Sequence, residues 1–142
     1  MRLVQTLLVA AATVLAVPAQ ADPAAEAAKA YTVEATVVPG SLKVGEAGAL
    51  RIAIKPTPKA HVHPEAPLKV VLSATPGLTL AKQKVGRADL ADPKAEAPRF
   101  EVAVKGAAAG KQQVTAALDF FICSDAWCVK QAREVKLDVD VK

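Results

Sequence analysis

Apolar and polar residues alternate along most of the chain after Tyr31, with a period of two. The pattern is clearest in the last segment, where Val135, Leu137, Val139 and Val141 alternate with charged residues. A period of two is typical of a strand with one buried face and one solvated face. Shorter apolar or alternating segments predict further strands over residues 31–38, 42–44, 50–55, 68–72, 78–84, 99–105 and 114–122.

Turn signals separate these segments. Residues 75–77 (TPG) predict a tight turn in which Gly77 supplies a positive φ, and Gly106–Gly110 predicts a flexible turn. Residues 56–67 contain four prolines and predict a loop or a sheet edge, and residues 85–98 predict a long polar loop. No amphipathic helix is predicted. Seven or eight short strands indicate an all-β fold, an immunoglobulin-like antiparallel β-sandwich.

The first residues have the pattern of a secretory signal peptide. Arg2 supplies a positive charge, residues 3–17 are almost wholly apolar, and Ala19-Gln20-Ala21 forms a small-x-small exit. The apolar run is shorter than the ~20 residues that a membrane span needs. The sequence therefore predicts a signal peptide over residues 1–21, cleavage after Ala21, a periplasmic or secreted location, and no stable membrane insertion after cleavage.

The rest of the chain divides into a short lead-in and one domain. Residues 22–30 are rich in alanine but too few for a stable isolated helix, so they predict a flexible lead-in or a single helical turn before a domain over residues 31–142. Loss of Arg2 lowers the formal charge from +4 to about +3, and the basic residues are scattered among acidic ones. A nucleic-acid surface needs a basic stripe with stacking aromatics, which this composition does not offer.

Cys123 and Cys128 are the two cysteines of the chain, and they enclose four residues between two predicted strands. Export to an oxidising compartment favours a disulfide, and a hairpin brings opposed residues within reach of one. Such a short closed loop contributes roughly 2 kcal/mol in the chain-entropy model, which is little for a structural bond. An exposed short-loop disulfide favours redox exchange, with a local hairpin staple as the alternative.

Two residues between the cysteines qualify this interpretation. Trp127 precedes Cys128 and either faces a partner, shields the thiol or packs on the end of the sandwich. Asp125 is either a solvated turn residue or a negative charge that disfavours the thiolate.

His61 and His63 form a His-x-His pair that can chelate a metal, with Glu65 or the cysteines as further ligands. Two solvated loop histidines are the simpler interpretation, and no cofactor is predicted. The sequence also contains no glycine-rich phosphate loop and no nucleophile elbow. Nothing in it places either histidine beside a cysteine, so a Cys–His hydrolase is not favoured.

Three segments together resemble a known family. They are residues 61–72 (HVHPEAPLKVVL), residues 75–78 (TPGL) and residues 118–128 (LDFFICSDAWC). Over residues 45–141 the chain resembles the N-terminal periplasmic domain of the thiol:disulfide interchange protein DsbD, a family of immunoglobulin-like redox domains.

The resemblance implies a function in which the cysteine pair takes electrons from a membrane-embedded donor and passes them to exported thiol or disulfide proteins. It implies that Cys128 forms the mixed disulfide and that Cys123 resolves it. It also places residues 85–98 where the family has a cap over the cysteines. Two alternatives stay open: a non-catalytic immunoglobulin-like binding module with a structural disulfide, and a metal-binding protein that uses His61 and His63.

Overall fold

The computed structural model describes residues 17–142. It contains one short helix and ten strands, together with a 3₁₀ turn at Arg87–Asp89. These elements are α1 (Pro23–Lys29), β1 (Tyr31–Val38), β2 (Ser41–Leu42), β3 (Ala47–Pro56), β4 (His61–Val62), β5 (Lys69–Ala74), β6 (Leu78–Leu80), β7 (Lys84–Gly86), β8 (Arg99–Gly106), β9 (Gly110–Cys123) and β10 (Cys128–Val141).

The strands form two sheets that face each other. One sheet has the order β1-β3-β8-β6, and the other has the order β2-β10-β9-β5-β7, with β4 also paired to β9. All pairs are antiparallel except β2 with β10. This is the arrangement of an immunoglobulin-like sandwich, in which β1 and β8 share one sheet while the final hairpin of β9 and β10 lies in the other. The predicted fold class is confirmed.

Alternating residues of both sheets build the core. Phe120 and Ile122 on β9 face inward, as do Ile52 on β3 and Phe100 on β8, and all four are fully buried. Each such side chain contributes about 1.5–3 kcal/mol when it leaves water. The even-numbered residues of β9 therefore fix its register, and they force its odd-numbered residues onto the outer face.

The structure has more strands than the sequence predicted, because the additional ones are only two or three residues long. Residues 78–84 do not form one strand of one sheet. The chain pairs with β8 over β6, then crosses to the other sheet and pairs with β5 over β7. A period-two pattern cannot distinguish these cases, since both sheets bury the same kind of side chain.

The predicted loop over residues 85–98 is correct only in part. Val85 lies in β7 and is 2% exposed, and Leu90 forms an isolated bridge to Phe100. These apolar contacts hold residues 85–90 against the sandwich, so the irregular exposed part begins after Leu90.

Residues 22–30, for which the sequence predicted a flexible lead-in or a single turn, contain the seven-residue helix α1. The Asp22 side chain accepts a hydrogen bond from the Ala24 amide at 3.0 Å and caps α1, whose first residue is Pro23. Ala27 is fully buried, and the Ala30 carbonyl accepts from the Thr57 amide at 2.8 Å. Packing against the sandwich stabilises a helix that is too short to persist alone.

The turn before β6 also differs from its prediction. The Leu78 amide donates to the Thr75 carbonyl at 3.0 Å, so the turn is present. However, Gly45 and Gly110 are the glycines with positive φ in residues 17–142, and Gly77 is not among them. A Cβ at position 77 would lie 2.1 Å from the end of the Gln112 side chain. A larger residue would therefore displace the amide that accepts hydrogen bonds from Thr75 and Gly77.

Most of the predicted signal peptide, residues 1–16, lies outside the described residues. Residues 17–21 are exposed and belong to no helix or strand. In residues 17–142, no helix has the length and apolar character required to cross a membrane.

Candidate functional site

The hairpin of β9 and β10 brings the two cysteines together. Cys123 and Cys128 are directly opposite each other, their Cα atoms are 4.0 Å apart, and their sulfurs form a disulfide. The next pair toward the turn is hydrogen-bonded, since the Ser124 amide donates to the Trp127 carbonyl at 2.8 Å. The cysteines therefore occupy a non-hydrogen-bonded pair, the position at which opposed residues approach most closely. The predicted disulfide is present.

Ser124 organises the four-residue connection. Its hydroxyl accepts from the Ala126 amide at 3.1 Å and from the Trp127 amide at 3.3 Å. A serine hydroxyl that accepts from amides two and three residues later is a recurrent way to close a turn. Asp125 and Ala126 are left exposed at the tip, so Asp125 is a solvated turn residue.

The two cysteines differ in exposure. Cys123 is only 5% exposed, whereas Cys128 is exposed to solvent. Cys123 lies on the outer face of β9 and does not belong to the cluster of buried residues that forms the core between the sheets. A molecule that approaches the hairpin from outside therefore reaches the sulfur of Cys128 more easily.

The structure places one of the two histidines beside the cysteines, which the sequence did not indicate. The short strand β4 pairs with the end of β9, and His61 lies directly opposite Cys123. His61, Cys123 and Cys128 thus form one row across three adjacent strands. Directly opposed residues of an antiparallel pair project from the same face of the sheet, so all three side chains start from the outer face.

His63 has a different position and a structural role. Its Nδ1 accepts from the Glu65 amide at 3.1 Å and from the Ala66 amide at 2.9 Å, and its own amide donates to the Phe121 carbonyl at 2.9 Å. The Nδ1 lone pair is thus already engaged with the loop. Within residues 17–142, no group of three or more His, Cys, Asp or Glu residues is arranged to hold a metal ion.

Arg87 fixes this loop from the other side, and nothing in the sequence marked it as important. One guanidinium nitrogen donates to the His63 carbonyl at 2.7 Å, and Nε donates to the Ala66 carbonyl at 3.1 Å. A second bond from the same guanidinium reaches the Ala66 carbonyl. A charged donor on backbone carbonyls gives stronger hydrogen bonds than a neutral one, so Arg87 couples the 3₁₀ turn to the segment that carries His61.

Trp127 packs on the end of the sandwich. Its indole is half-buried and contacts the buried core, while the neighbouring Cys128 remains exposed. The part of the indole that stays accessible borders the hairpin tip. A partner-facing role for Trp127 remains a prediction.

A groove of about 1380 Å³ runs beside the hairpin tip. Three segments line it: residues 55–64, residues 87–98 and residues 124–126. Its charged side chains are mostly basic, namely Lys55, Lys59, Arg87 and Lys94 against Glu96 and Asp125. The irregular residues 93–98 therefore line the same groove as the tip of the hairpin that carries the cysteines.

Asp89 and Tyr31, in elements that pack near the site, have shifted pKa values. Hydrogen bonds from Lys82 and from the Gly86 amide lower the pKa of Asp89, which fixes the 3₁₀ turn. Burial raises the pKa of Tyr31, although the nearby Arg133 opposes this. The Tyr31 hydroxyl donates to Gln131 Oε1 at 3.0 Å, and its ring packs edge-on against Phe120.

No protein-family model and no curated sequence matches the chain. Its fold is similar to part of a trypsin-activated α2-macroglobulin from Escherichia coli, with 20% identity and a TM-score of 0.47 over 75% of this chain and 7% of that one. A conjugative transposon lipoprotein from Bacteroides eggerthii has 12% identity and a TM-score of 0.45, over 78% of this chain and 96% of that one. Domains 4 and 5 of the S-layer protein SbsC have 19% identity and a TM-score of 0.38, over 78% and 50% of the two chains. These similarities indicate nothing about function.

Proposed function

We propose that this protein is an exported thiol–disulfide exchange domain that works through Cys123 and Cys128. The observation that carries the proposal is the unequal burial of a disulfide at the tip of a hairpin. Cys128 is exposed and Cys123 is 5% exposed, so a partner has access to one sulfur while the other is held close behind it. This division suits an attacking and a resolving cysteine.

The small contribution of the bond to folding supports exchange over a purely structural role. Fourteen residue pairs already join β9 to β10, and Ser124 closes the turn with its own hydrogen bonds. A disulfide that closes so short a loop adds about 2 kcal/mol at most in the chain-entropy model. The hairpin can therefore remain formed while its disulfide opens and closes.

The exchange that we propose transfers two electrons in two displacements. In the reduced domain, the Cys128 thiolate attacks a sulfur of the partner's disulfide, and that disulfide breaks to release one partner thiolate. The Cys123 thiolate then attacks the Cys128 sulfur, forms the internal disulfide and releases the second partner thiolate. The domain is oxidised and the partner is reduced to a dithiol.

The partners in this proposal are exported thiol or disulfide proteins, and the resemblance to the DsbD N-terminal domain adds a membrane-embedded electron donor. Export rests on the signal-peptide pattern of residues 1–21. Residues 85–98 take the place of the family's cap in this scheme, and residues 93–98 within them border the same groove as the hairpin tip. A partner that reaches Cys128 would then contact both segments.

A non-catalytic binding module is the second candidate, and the groove is the observation that favours it. A concave surface of about 1380 Å³ beside a rigid hairpin is large enough to accept a ligand or a peptide. The disulfide would then serve only to make the hairpin at the side of this groove more rigid.

The reduction potential of the pair distinguishes these candidates. Residues 22–142 would be equilibrated in glutathione or dithiothreitol buffers of known potential, and the oxidised fraction would be measured. We expect a value of roughly −180 to −270 mV, in the range of exchange proteins. A value below about −300 mV marks a structural bond and would favour the binding module.

Partner trapping provides the second test. A Cys123→Ser variant keeps the attacking Cys128 but cannot resolve the mixed disulfide, so it should accumulate covalent complexes with exported proteins. The matched Cys128→Ser variant should accumulate far fewer. Equal amounts from both variants, or none from either, would contradict the proposed roles.

A further inference from the structure

The row formed by His61, Cys123 and Cys128 suggests a role for a histidine that the sequence left as a loop residue or a metal candidate. Cys123 has β10 on one side and β4 on the other, so Cys128 and His61 flank it at the same level of the sheet. The phase of the β4–β9 pairing is fixed by a hydrogen bond, since the His63 amide donates to the Phe121 carbonyl at 2.9 Å.

This pairing brings the His61 and Cys123 side chains within reach of each other. Directly opposed residues have Cβ atoms about 4.5–5.5 Å apart, on the same face of the sheet. His61 is exposed and lines the groove, while Cys123 beside it is 5% exposed. The histidine thus lies between bulk water and the buried sulfur.

The burial of the Cys123 sulfur makes a neighbouring proton donor useful during exchange. When the disulfide is attacked at Cys128, the bonding electrons go to the sulfur of Cys123, which becomes a thiolate. Burial disfavours a thiolate because a charge loses its hydration. A proton donor next to Cys123 lowers that cost, and histidine is the side chain that most readily gains and loses a proton near neutral pH.

We propose that His61 is the proton donor and acceptor for Cys123 during exchange. This inference rests on the proposed function. When a partner thiolate attacks the Cys128 sulfur, the S–S bond breaks and the His61 imidazolium gives its proton to the departing Cys123 sulfur. In the reverse step, neutral His61 takes the proton from the Cys123 thiol. The resulting thiolate attacks the mixed disulfide at Cys128 and releases the partner thiolate.

Several charged groups surround the row and contribute to its pH dependence. From the segment of His61 itself come Lys55, Lys59, His63 and Glu65. Arg87, Lys94, Glu96 and Asp125 line the same groove as His61, and Asp119 and Lys130 lie on the outer-facing positions of the two hairpin strands. The cations exceed the anions in this set, so the test needs a control that removes a nearby charge but leaves the imidazole in place.

The test measures the rate at which excess dithiothreitol reduces the disulfide of residues 22–142, from about pH 5 to about pH 9. Alkylation of samples at successive times gives the reduced fraction. Each rate is divided by the thiolate fraction of dithiothreitol, which isolates the protein's own proton donor. In the wild-type domain, this corrected rate should rise as the pH falls and the imidazole becomes protonated.

The His61→Gln variant should lose this rise and react about 10- to 100-fold more slowly at low pH, at or below the lower end of what a positioned proton donor contributes. The control variant Lys59→Gln, altered in the same exposed segment, should keep the wild-type profile. An unchanged profile in His61→Gln would overturn the proposal. So would full activity of His61→Arg at every pH, because a fixed charge would then be sufficient.

Two further measurements keep the outcome unambiguous. Thermal unfolding of His61→Gln should match the wild type, and if it does not, His61→Asn is measured in its place. The reduction potential tests the proposed function separately, because it reports the equilibrium and not the rate. A potential below about −300 mV together with a histidine-dependent rate would remove the exchange function but leave the proton transfer intact.

Discussion

Cys123 and Cys128 lie directly opposite each other with 4.0 Å between their Cα atoms, and yet only Cys128 is exposed. The two residues also differ in their neighbours within the sheet: β4 pairs with β9 at Cys123, whereas no strand pairs with the free side of β10 at Cys128. The two sulfurs of the disulfide are chemically equivalent, but their surroundings differ. The first prediction follows from this difference.

In the reduced protein, we expect Cys128 to be alkylated before Cys123. Thiol reactivity depends on access and on thiolate character, and burial reduces both for Cys123. A short pulse of iodoacetamide followed by peptide mass spectrometry measures the order. Equal labelling of both residues in the folded protein would contradict the assigned burial, whereas equal labelling in urea is expected.

Opening the disulfide should lower the free energy of unfolding by about 2 kcal/mol or less, since the closed loop is short and the hairpin has other bonds. The measurement is urea unfolding of the oxidised protein and of the double variant Cys123→Ser/Cys128→Ser. A loss of about 4 kcal/mol or more would show that the bond is a major structural element.

The histidine pair should separate into one structural residue and one that stability does not require. His63→Ala removes the acceptor of the Glu65 and Ala66 amides and should cost about 1 kcal/mol, because one of these amides is partly buried. His61→Ala, altered two residues away on an exposed position, should stay within about 0.5 kcal/mol of the wild type. Chemical denaturation of both variants provides the comparison, and the opposite order would be inconsistent with this arrangement.

Arg87→Ala should destabilise the protein by about 1–2 kcal/mol, because it leaves the His63 and Ala66 carbonyls without a charged donor. It should also increase hydrogen exchange in residues 61–66. Arg99→Ala is the matched control, since Arg99 is exposed on β8 and should change stability by less than about 0.5 kcal/mol. Similar losses from both substitutions would indicate a general charge effect.

The alternating strands were predictable from the sequence because their burial is one-sided. Val139 and Val141 are buried while Asp138 and Asp140 are exposed, and the hairpin between the cysteines followed from spacing alone. These features depend on local pattern and on contacts between neighbouring strands. A single sequence contains that information directly.

The surroundings of the disulfide were not predictable for the opposite reason. The strand β4 has only two residues and lies between Pro58 and Pro64, so the local sequence predicts a loop and not a strand. Its position depends on pairing with β9, some sixty positions later in the chain. The contacts of Arg87 depend likewise on two distant loops meeting. The helix α1 is stabilised by the burial of Ala27 against the rest of the domain, and the helix propensity of residues 23–29 does not show this contact.

Stability should decrease in alkaline solution in a way that depends on Tyr31. Burial raises its pKa above the ordinary 10.0, so the folded state holds the phenolic proton more tightly than the unfolded chain. This contribution is complete below pH 10.0 and is lost as the pH rises through the folded-state value. The Tyr31→Phe variant should lose stability less steeply with pH than the wild type, as urea midpoints would show, and equal slopes would refute the assignment.

The segment Leu78–Gly86 crosses from one sheet to the other, and this crossing affects whether copies of the protein can pair through their sheet edges in concentrated solution. The same segment ends both sheets on one side of the sandwich, with the three residues of β6 in one and the three of β7 in the other. Long exposed edge strands invite pairing between molecules, whereas very short ones give an incoming strand few backbone groups to bind. This side of the domain is therefore protected against intermolecular strand addition and the aggregation that follows from it.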